Sequence, residues 1–164
     1  MYALKSLLLA LIPAAYAFDG LGHIRTLYIG RDHDDLGCLT AAGKWTTDEE
    51  QCGLFFGKTL SQSPKGGVST FRLASLDTGM CGIAPVGVFK CGGDAKAAEF
   101  GTWGTNGPVK EHDVLRYGQY GVFAGNGNNP PSFAEGPADI HFYSGAEQGK
   151  YVWLVWKPLS DESA

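Results

Sequence analysis

Apolar residues along this chain come in short runs cut by turn residues, and no segment sustains the 3.6-residue repeat of an amphipathic helix. The 24 glycines and 8 prolines that punctuate these runs favour the short strands of a sandwich or barrel. The pattern predicts strands over Ile24–Ile29, Cys38–Thr40, Lys44–Thr47, Cys52–Gly57, Thr70–Ala74 and Cys81–Ala84. It continues with Val86–Lys90, Ala97–Trp103, Val114–Tyr117, Gly121–Ala124, Ile140–Tyr143 and Tyr151–Trp156. The last run is apolar without alternation, as expected of a closing strand that pairs with the N-terminal one.

One segment recurs after about 44 residues, the mark of stacked or symmetric units. Gly37-Cys38, Gly43, Trp45 and Phe56-Gly57 in the first copy match Met80-Cys81, Gly87, Phe89 and Phe100-Gly101 in the second. The strands then sort into three sets, starting at Leu27-Tyr28-Ile29, Phe71-Arg72-Leu73 and Val114-Leu115-Arg116-Tyr117. Three such units around a pseudo-threefold axis make an all-β, β-trefoil-like fold. A β-sandwich or other small barrel is the alternative. The third set fits least well, having no cysteine and carrying the insertion Gly125-Asn126-Gly127-Asn128-Asn129-Pro130-Pro131. The repeat makes Trp45 and Phe89 equivalent core positions, each two residues after a turning glycine.

The ends read differently from the middle. Lys5, the apolar run Leu7–Ile12 and the small-x-small triplet Ala15-Tyr16-Ala17 predict a signal peptide over 1–17. The apolar run is far short of the ~20 residues that span a bilayer. Residues 18–158 form the expected single β-domain, and 159–164 a disordered acidic tail. Export gives the cysteines a meaning. Cys38, Cys52, Cys81 and Cys91 allow three pairings, and Cys38–Cys52 with Cys81–Cys91 closes one short loop inside each copy. Their spacing does not resemble a zinc pattern.

Loss of Lys5 takes the formal charge from −4 to −5, with no Lys/Arg cluster, which argues against nucleic acid as a partner. No cofactor, metal or membrane anchor is expected. Arg31-Asp32-His33-Asp34-Asp35 could hold a cation through its carboxylate oxygens but has the composition of a solvated turn. Glu111 and His112, with His141, are the residues that acid/base cleavage of RNA would need. There is no Gly-x-Ser-x-Gly nucleophile motif. Aromatics make up 12%, enough to supply stacking platforms beyond a core: Trp103, Tyr117, Tyr120 and Trp45 are the candidate ligand-binding residues, with Phe133 and Tyr143 behind them.

Gly37-Cys38-Leu39-Thr40, Gly43-Lys44-Trp45-Thr46 and Cys52-Gly53-Leu54-Phe55 resemble the C-terminal accessory domain of fungal ribonucleases of the T-two class. Phe71-Arg72-Leu73-Ala74-Ser75, Cys81-Gly82-Ile83, Phe89-Lys90-Cys91, Leu115-Arg116-Tyr117-Gly118 and Val152-Trp153-Leu154-Val155-Trp156 continue the resemblance. It implies an accessory, non-catalytic domain associated with cell wall or polymer. The catalytic boxes of that family, His-Gly-Leu-Trp-Pro and Glu-His-Glu-x-x-Lys-His-Gly, do not occur here. The expectation is a secreted binding domain for glycan or cell-wall polymer. The alternatives are a small ribonuclease using Glu111, His112 and His141, and a trefoil-type inhibitor or effector that docks a host protein through Gly125–Pro137.

Overall fold

The computed structural model describes residues 18–28, 30, 34–61, 69–102, 113–118, 121–124, 129–143 and 151–159. The expected signal peptide and the tail beyond Leu159 lie outside them. The fold is all-β, with thirteen described strands paired antiparallel. They are β1 (Gly20–Tyr28), β2 (Asp35–Leu39), β3 (Trp45–Thr46), β4 (Phe55–Ser61), β5 (Thr70–Ser75), β6 (Gly79–Ile83) and β7 (Phe89–Cys91). Then come β8 (Lys96–Ala97), β9 (Phe100–Thr102), β10 (Leu115–Arg116), β11 (Gly121–Ala124), β12 (Ile140–Tyr143) and β13 (Tyr151–Pro158).

Each expected strand has a counterpart; β1 and β2 begin earlier than expected, at Gly20 and Asp35, and three further runs start late or divide. The Val86–Lys90 run starts late, because Pro85–Gly87 forms a 3-10 turn. Pro85 cannot donate to a ladder and Gly87 sits at φ 78°, so pairing resumes only at Phe89. The Ala97–Trp103 run divides between β8 on β6 and β9 on β5. The Cys52–Gly57 run starts at Phe55, after a 3-10 turn over Glu49–Gln51 capped by Asp48.

The ladders run in the order β10-β9-β5-β4-β1-β13-β11-β12. An isolated bridge joins Val114 to Val155 of β13. Three hairpins, β2–β3, β6–β7 and β11–β12, lie along the chain. They contact one another pairwise: Trp45 bridges Ala138, Val88 bridges His141, and the Cys91 N–H donates to the Ala42 carbonyl. The closing strand is where the apolar run placed it, with β13 in register against β1 from Gly22–Pro158 to Tyr28–Val152.

Alternation along the strands fills the core. β1 turns Ile24 and Thr26 inward, β4 Phe55, β5 Phe71 and Leu73, and β13 Val152, Leu154 and Trp156. The aromatic rings form a chain of contacts. Phe18 stacks on Phe71 at 4.5 Å between centroids, Phe71 meets Phe100, and Phe100 meets Phe89 and Phe142. Phe18 is itself wholly buried, although it directly follows the expected cleavage point. Gly57 lets it in, because a Cβ there would lie 1.9 Å from the Phe18 carbonyl oxygen. A second apolar cluster, Leu27, Val114 and Val155 with Trp153 packed on it, explains the lack of alternation in the last strand.

The disulfides join Cys38 to Cys52 and Cys81 to Cys91, and no cysteine is free. Both pairs close inside a sequence copy, as the spacing suggested. Loops of this size are worth about 2.5–3 kcal/mol in the chain-entropy treatment. Thiol titration of the unfolded, unreduced protein is expected to give no signal.

The equivalence expected of Trp45 and Phe89 holds for burial, with exposures of 0% and 1%. Their glycines share the left-handed region, Gly43 at φ 89° and Gly87 at φ 78°. Trp45→Ala, Phe89→Ala and Phe18→Ala are each expected to cost about 3–5 kcal/mol of stability. Urea denaturation with a common slope checks this. A variant within 1 kcal/mol of wild type would remove that ring from the core.

Candidate functional site

The aromatic residues expected to bind ligand divide on inspection. Trp45 cannot serve as a platform: it is fully buried, and its indole Nε1 donates to the Leu36 carbonyl at 3.0 Å. The large ring that suggested stacking is consumed by the core. Tyr117 packs against Phe100 and Phe142 at centroid distances of 6.1 and 5.9 Å, half-buried at the core's margin. Trp103 and Tyr120 lie outside the described residues. So do Glu111 and His112, and no geometry relates them to His141. His141 sits on β12, half-buried, with Nδ1 3.4 Å from the Val86 carbonyl oxygen. Arg31–His33 of the polar cluster also lie outside the described residues.

The described residues line a shallow depression of about 510 Å³. Its walls come from three turns. Thr40, Ala41, Ala42 and Lys44 belong to the β2–β3 hairpin, Glu50 and Gln51 to the 3-10 turn, and Asp77 and Thr78 to the β5–β6 turn. Cys52, Gly53 and Pro137 complete it. The sequence reading missed Glu50, Gln51, Asp77 and Thr78. They sit in turn-forming stretches, Asp48–Gln51 and Asp77-Thr78-Gly79, whose only signal is that they are turns.

Local bonding fixes these walls. Asp48 accepts from the Glu50 N–H and from the Gln51 amide, at 3.0 and 2.8 Å. The Thr78 hydroxyl donates to the Ala41 carbonyl at 2.7 Å, tying two turns together. Lys44 pairs with Asp139 at 3.3 Å. His23 Nδ1 donates to the Gly53 carbonyl at 2.8 Å, so that nitrogen carries its proton.

Beneath the depression lies an ion cluster. Arg25 on β1 reaches Asp35 through Nε and Nη2 at 2.9 and 2.8 Å. It reaches Glu49 through Nη1 and Nη2, both at 2.7 Å. The guanidinium is only 13% exposed while the carboxylates are largely in water, so desolvation falls mainly on the cation. Hydrogen bonding to Glu49 raises the Arg25 pKa against the opposing effect of burial, with Asp35 adding to the rise. The same contact holds the Glu49 carboxyl below its ordinary value. The guanidinium thus clamps Asp35 and Glu49 together through four hydrogen bonds. With the Cys38–Cys52 bond, it fastens the 3-10 turn to β1.

A second feature lies in the loop that supplies Pro137 to the wall of the depression. Phe133 is 79% exposed in the loop that ends at Pro137. Its turn is stapled by reciprocal bonds: the Ser132 N–H donates to Glu135 Oε2 at 3.0 Å, and the Glu135 N–H donates to Ser132 Oγ at 3.3 Å. The Ser132 backbone N–H, and then its hydroxyl, hold the Glu135 carboxyl below its ordinary value. The Thr47 hydroxyl anchors the loop through the Pro131 carbonyl at 3.2 Å.

Among the described residues no cluster of three metal-ligating side chains occurs, and no helix is long and apolar enough to cross a membrane. The hollow presents hydroxyls of Thr40 and Thr78, the Gln51 amide, the Lys44 ammonium and the carboxylates of Glu50 and Asp77.

Removing the clamp's cation leaves Asp35 and Glu49 facing each other. Arg25→Met is expected to destabilise by on the order of 1–3 kcal/mol at neutral pH. The contribution of Glu49 is full above its unfolded value near 4.5 and is lost as pH falls through its lower folded value. The gap between wild type and Arg25→Met in urea midpoint should therefore narrow on acidification below pH 4.5. A gap that widened there would contradict the clamp.

Comparison with protein-family models, with curated proteins and with solved structures finds no match to this chain.

Proposed function

We propose that this chain is a secreted, disulfide-stapled, β-trefoil-type domain that binds glycan or cell-wall polymer without catalysis. The observation that carries it is Phe133, an aromatic ring 79% exposed on a self-stapled turn whose loop reaches the polar depression. An exposed ring ordered by its own turn loses little entropy on binding and offers an apolar face to a sugar ring. The hydroxyl, amide and carboxylate groups of Thr40, Gln51, Asp77 and Thr78 then match sugar hydroxyls.

The strand pairing supports the trefoil reading. Successive pairings link β1, β4, β5, β9 and β10, the Val114–Val155 bridge leads back to β13, and β13 pairs with β1. The remaining hairpins contact one another pairwise, as three units around an axis would require. Two disulfides are compatible with an oxidising compartment, and with the leader expected over residues 1–17 this favours export. The resemblance to the ribonuclease accessory domain agrees with binding without catalysis, since the family's catalytic boxes are missing.

Retention on insoluble chitin, β-glucan and mannan tests the reading. The protein is expected to be retained by at least one of them. Phe133→Ala and Asp77→Ala should each weaken retention by about tenfold, or 1.4 kcal/mol, with unchanged urea midpoints. Both side chains are exposed, so folding should survive. Glu135 stays ionised until pH falls through its depressed pKa, so retention should persist through weakly acidic pH and fade well below 4.5. Wild-type retention on none of the three polymers would sink the proposal.

A further inference from the structure

The chain enters the domain through an aromatic residue whose backbone lies in a region that aromatic residues avoid. Phe18 sits at φ 54°, and Val86 is the one other non-glycine residue at positive φ among the described residues. Positive φ brings the carbonyl of the preceding residue against the Cβ, a clash that only glycine escapes. Val86 takes this conformation inside a turn, between Pro85 and Gly87. Phe18 takes it ahead of the first strand, directly after the expected cleavage point.

The fold holds Phe18 there from the downstream side. Its ring is wholly buried, stacked on Phe71 at 4.5 Å and tilted against Trp156 at 5.3 Å between centroids. Its carbonyl passes over Gly57, where a Cβ would lie 1.9 Å from the oxygen. The Asp19 carboxylate accepts from the Thr59 N–H at 3.0 Å, and Gly20 pairs with Gly57 to open β1. The Phe18 N–H, by contrast, has no backbone acceptor among the described residues.

We propose that this domain is built for a free α-amino group at Phe18, so that hydrolysis of the Ala17–Phe18 bond stabilises the fold as well as removing a leader. The step consumes one water, leaves a carboxylate on Ala17 and gives Phe18 an α-ammonium in place of its amide. The carbonyl that crowds the Phe18 Cβ departs with Ala17, so the ring keeps its place in the core without a strained φ. No hydrogen bond to the described backbone is lost. The position of the cut is therefore exacting. One residue later removes the ring, and any cut upstream leaves the crowding carbonyl in place. The co-reactant is a peptidase that reads small residues one and three places before the cut, here Ala17 and Ala15. The inference rests on the export reading and is independent of glycan binding.

The test compares urea denaturation of chains that begin at Phe18, at Ala15 and at Asp19, each released from a self-cleaving tag that leaves no extra residue. The Ala15 chain is expected to have a folding equilibrium constant about tenfold below that of the Phe18 chain. The Asp19 chain should fall by about a hundredfold or more, because the buried ring is gone. Phe18→Gly removes the Cβ, so in that background the Phe18-start and Ala15-start chains should have the same midpoint. Equal midpoints with phenylalanine in place, or an undiminished difference with glycine, would overturn the proposal. If the Asp19 chain does not fold, the other comparisons decide. Expression of the whole 164-residue chain in a eukaryotic secretory host, with sequencing of the released protein, is expected to give Phe18 as the first residue. Any other first residue would overturn the proposal. Retention in the cell with residues 1–17 attached would remove the export reading and the processing step together, whereas export with equal midpoints would overturn this inference alone.

Discussion

β1 is the strand on which the remaining structure depends. It pairs with β13, β2 and β4, so it is the seam between the start, the end and the first hairpin of the domain. Both of its faces are committed. Ile24 and Thr26 point into the main core, while Arg25 and Leu27 on the outer face hold the ion clamp and the second apolar cluster. A slip of one residue against β13 would exchange these faces, placing Arg25 in the aromatic core and Ile24 in water. The cost of burying an unpaired guanidinium makes that register untenable. The first hairpin inherits its position from this strand. Arg25 grips Asp35 at the start of β2 and Glu49 beyond β3, so the 3-10 turn that lines the depression is positioned from beneath.

The strands were legible because their signals are local. Short β-branched and aromatic runs bounded by glycine located each run, though not every boundary. The delayed start at Phe89 comes from Pro85 with Gly87, the delayed start at Phe55 from the capped 3-10 turn before it, and the division of Ala97–Trp103 from its two partner strands. The disulfides were legible for the same reason, since each closes a short loop within one copy of the repeat. Phe18 was not legible as core. It precedes the first expected strand, and the gap left by Gly57, beside Phe71 and Trp156, gives it a place in the core.

The site was harder to read, because aromatic content does not say which rings face water. Trp45 carried two incompatible expectations, core equivalent of Phe89 and ligand platform, and burial decided for the first. The choice follows from position. Trp45 lies two residues beyond the turning Gly43 and pairs with Leu39 on a buried face, and its polar edge is satisfied by Leu36. Phe133 sits between prolines and small polar residues, with no strand partner to cover it, and stays exposed. Periodicity ranks rings by strand, whereas exposure depends on what crosses over the strand.

The same argument separates the two exposed apolar features. Phe133 is a lone ring, 79% exposed, in the loop that supplies Pro137 to the wall of the polar depression. Leu21, Phe56, Ala74 and Met80 instead repeat along the hydrogen-bonding direction of four strands. Cross-strand apolar rows stabilise a sheet modestly, by about 0.2–1 kcal/mol per pair. That gain is available without leaving leucine, phenylalanine and methionine together in water, since threonine or valine at these positions would serve the ladder as well. Larger, more flexible side chains are what a contact surface needs, because they reach further and adapt to a partner's relief. The register of β1 is held by the core within the domain, whereas the ladder alone does not require the size of these exposed side chains.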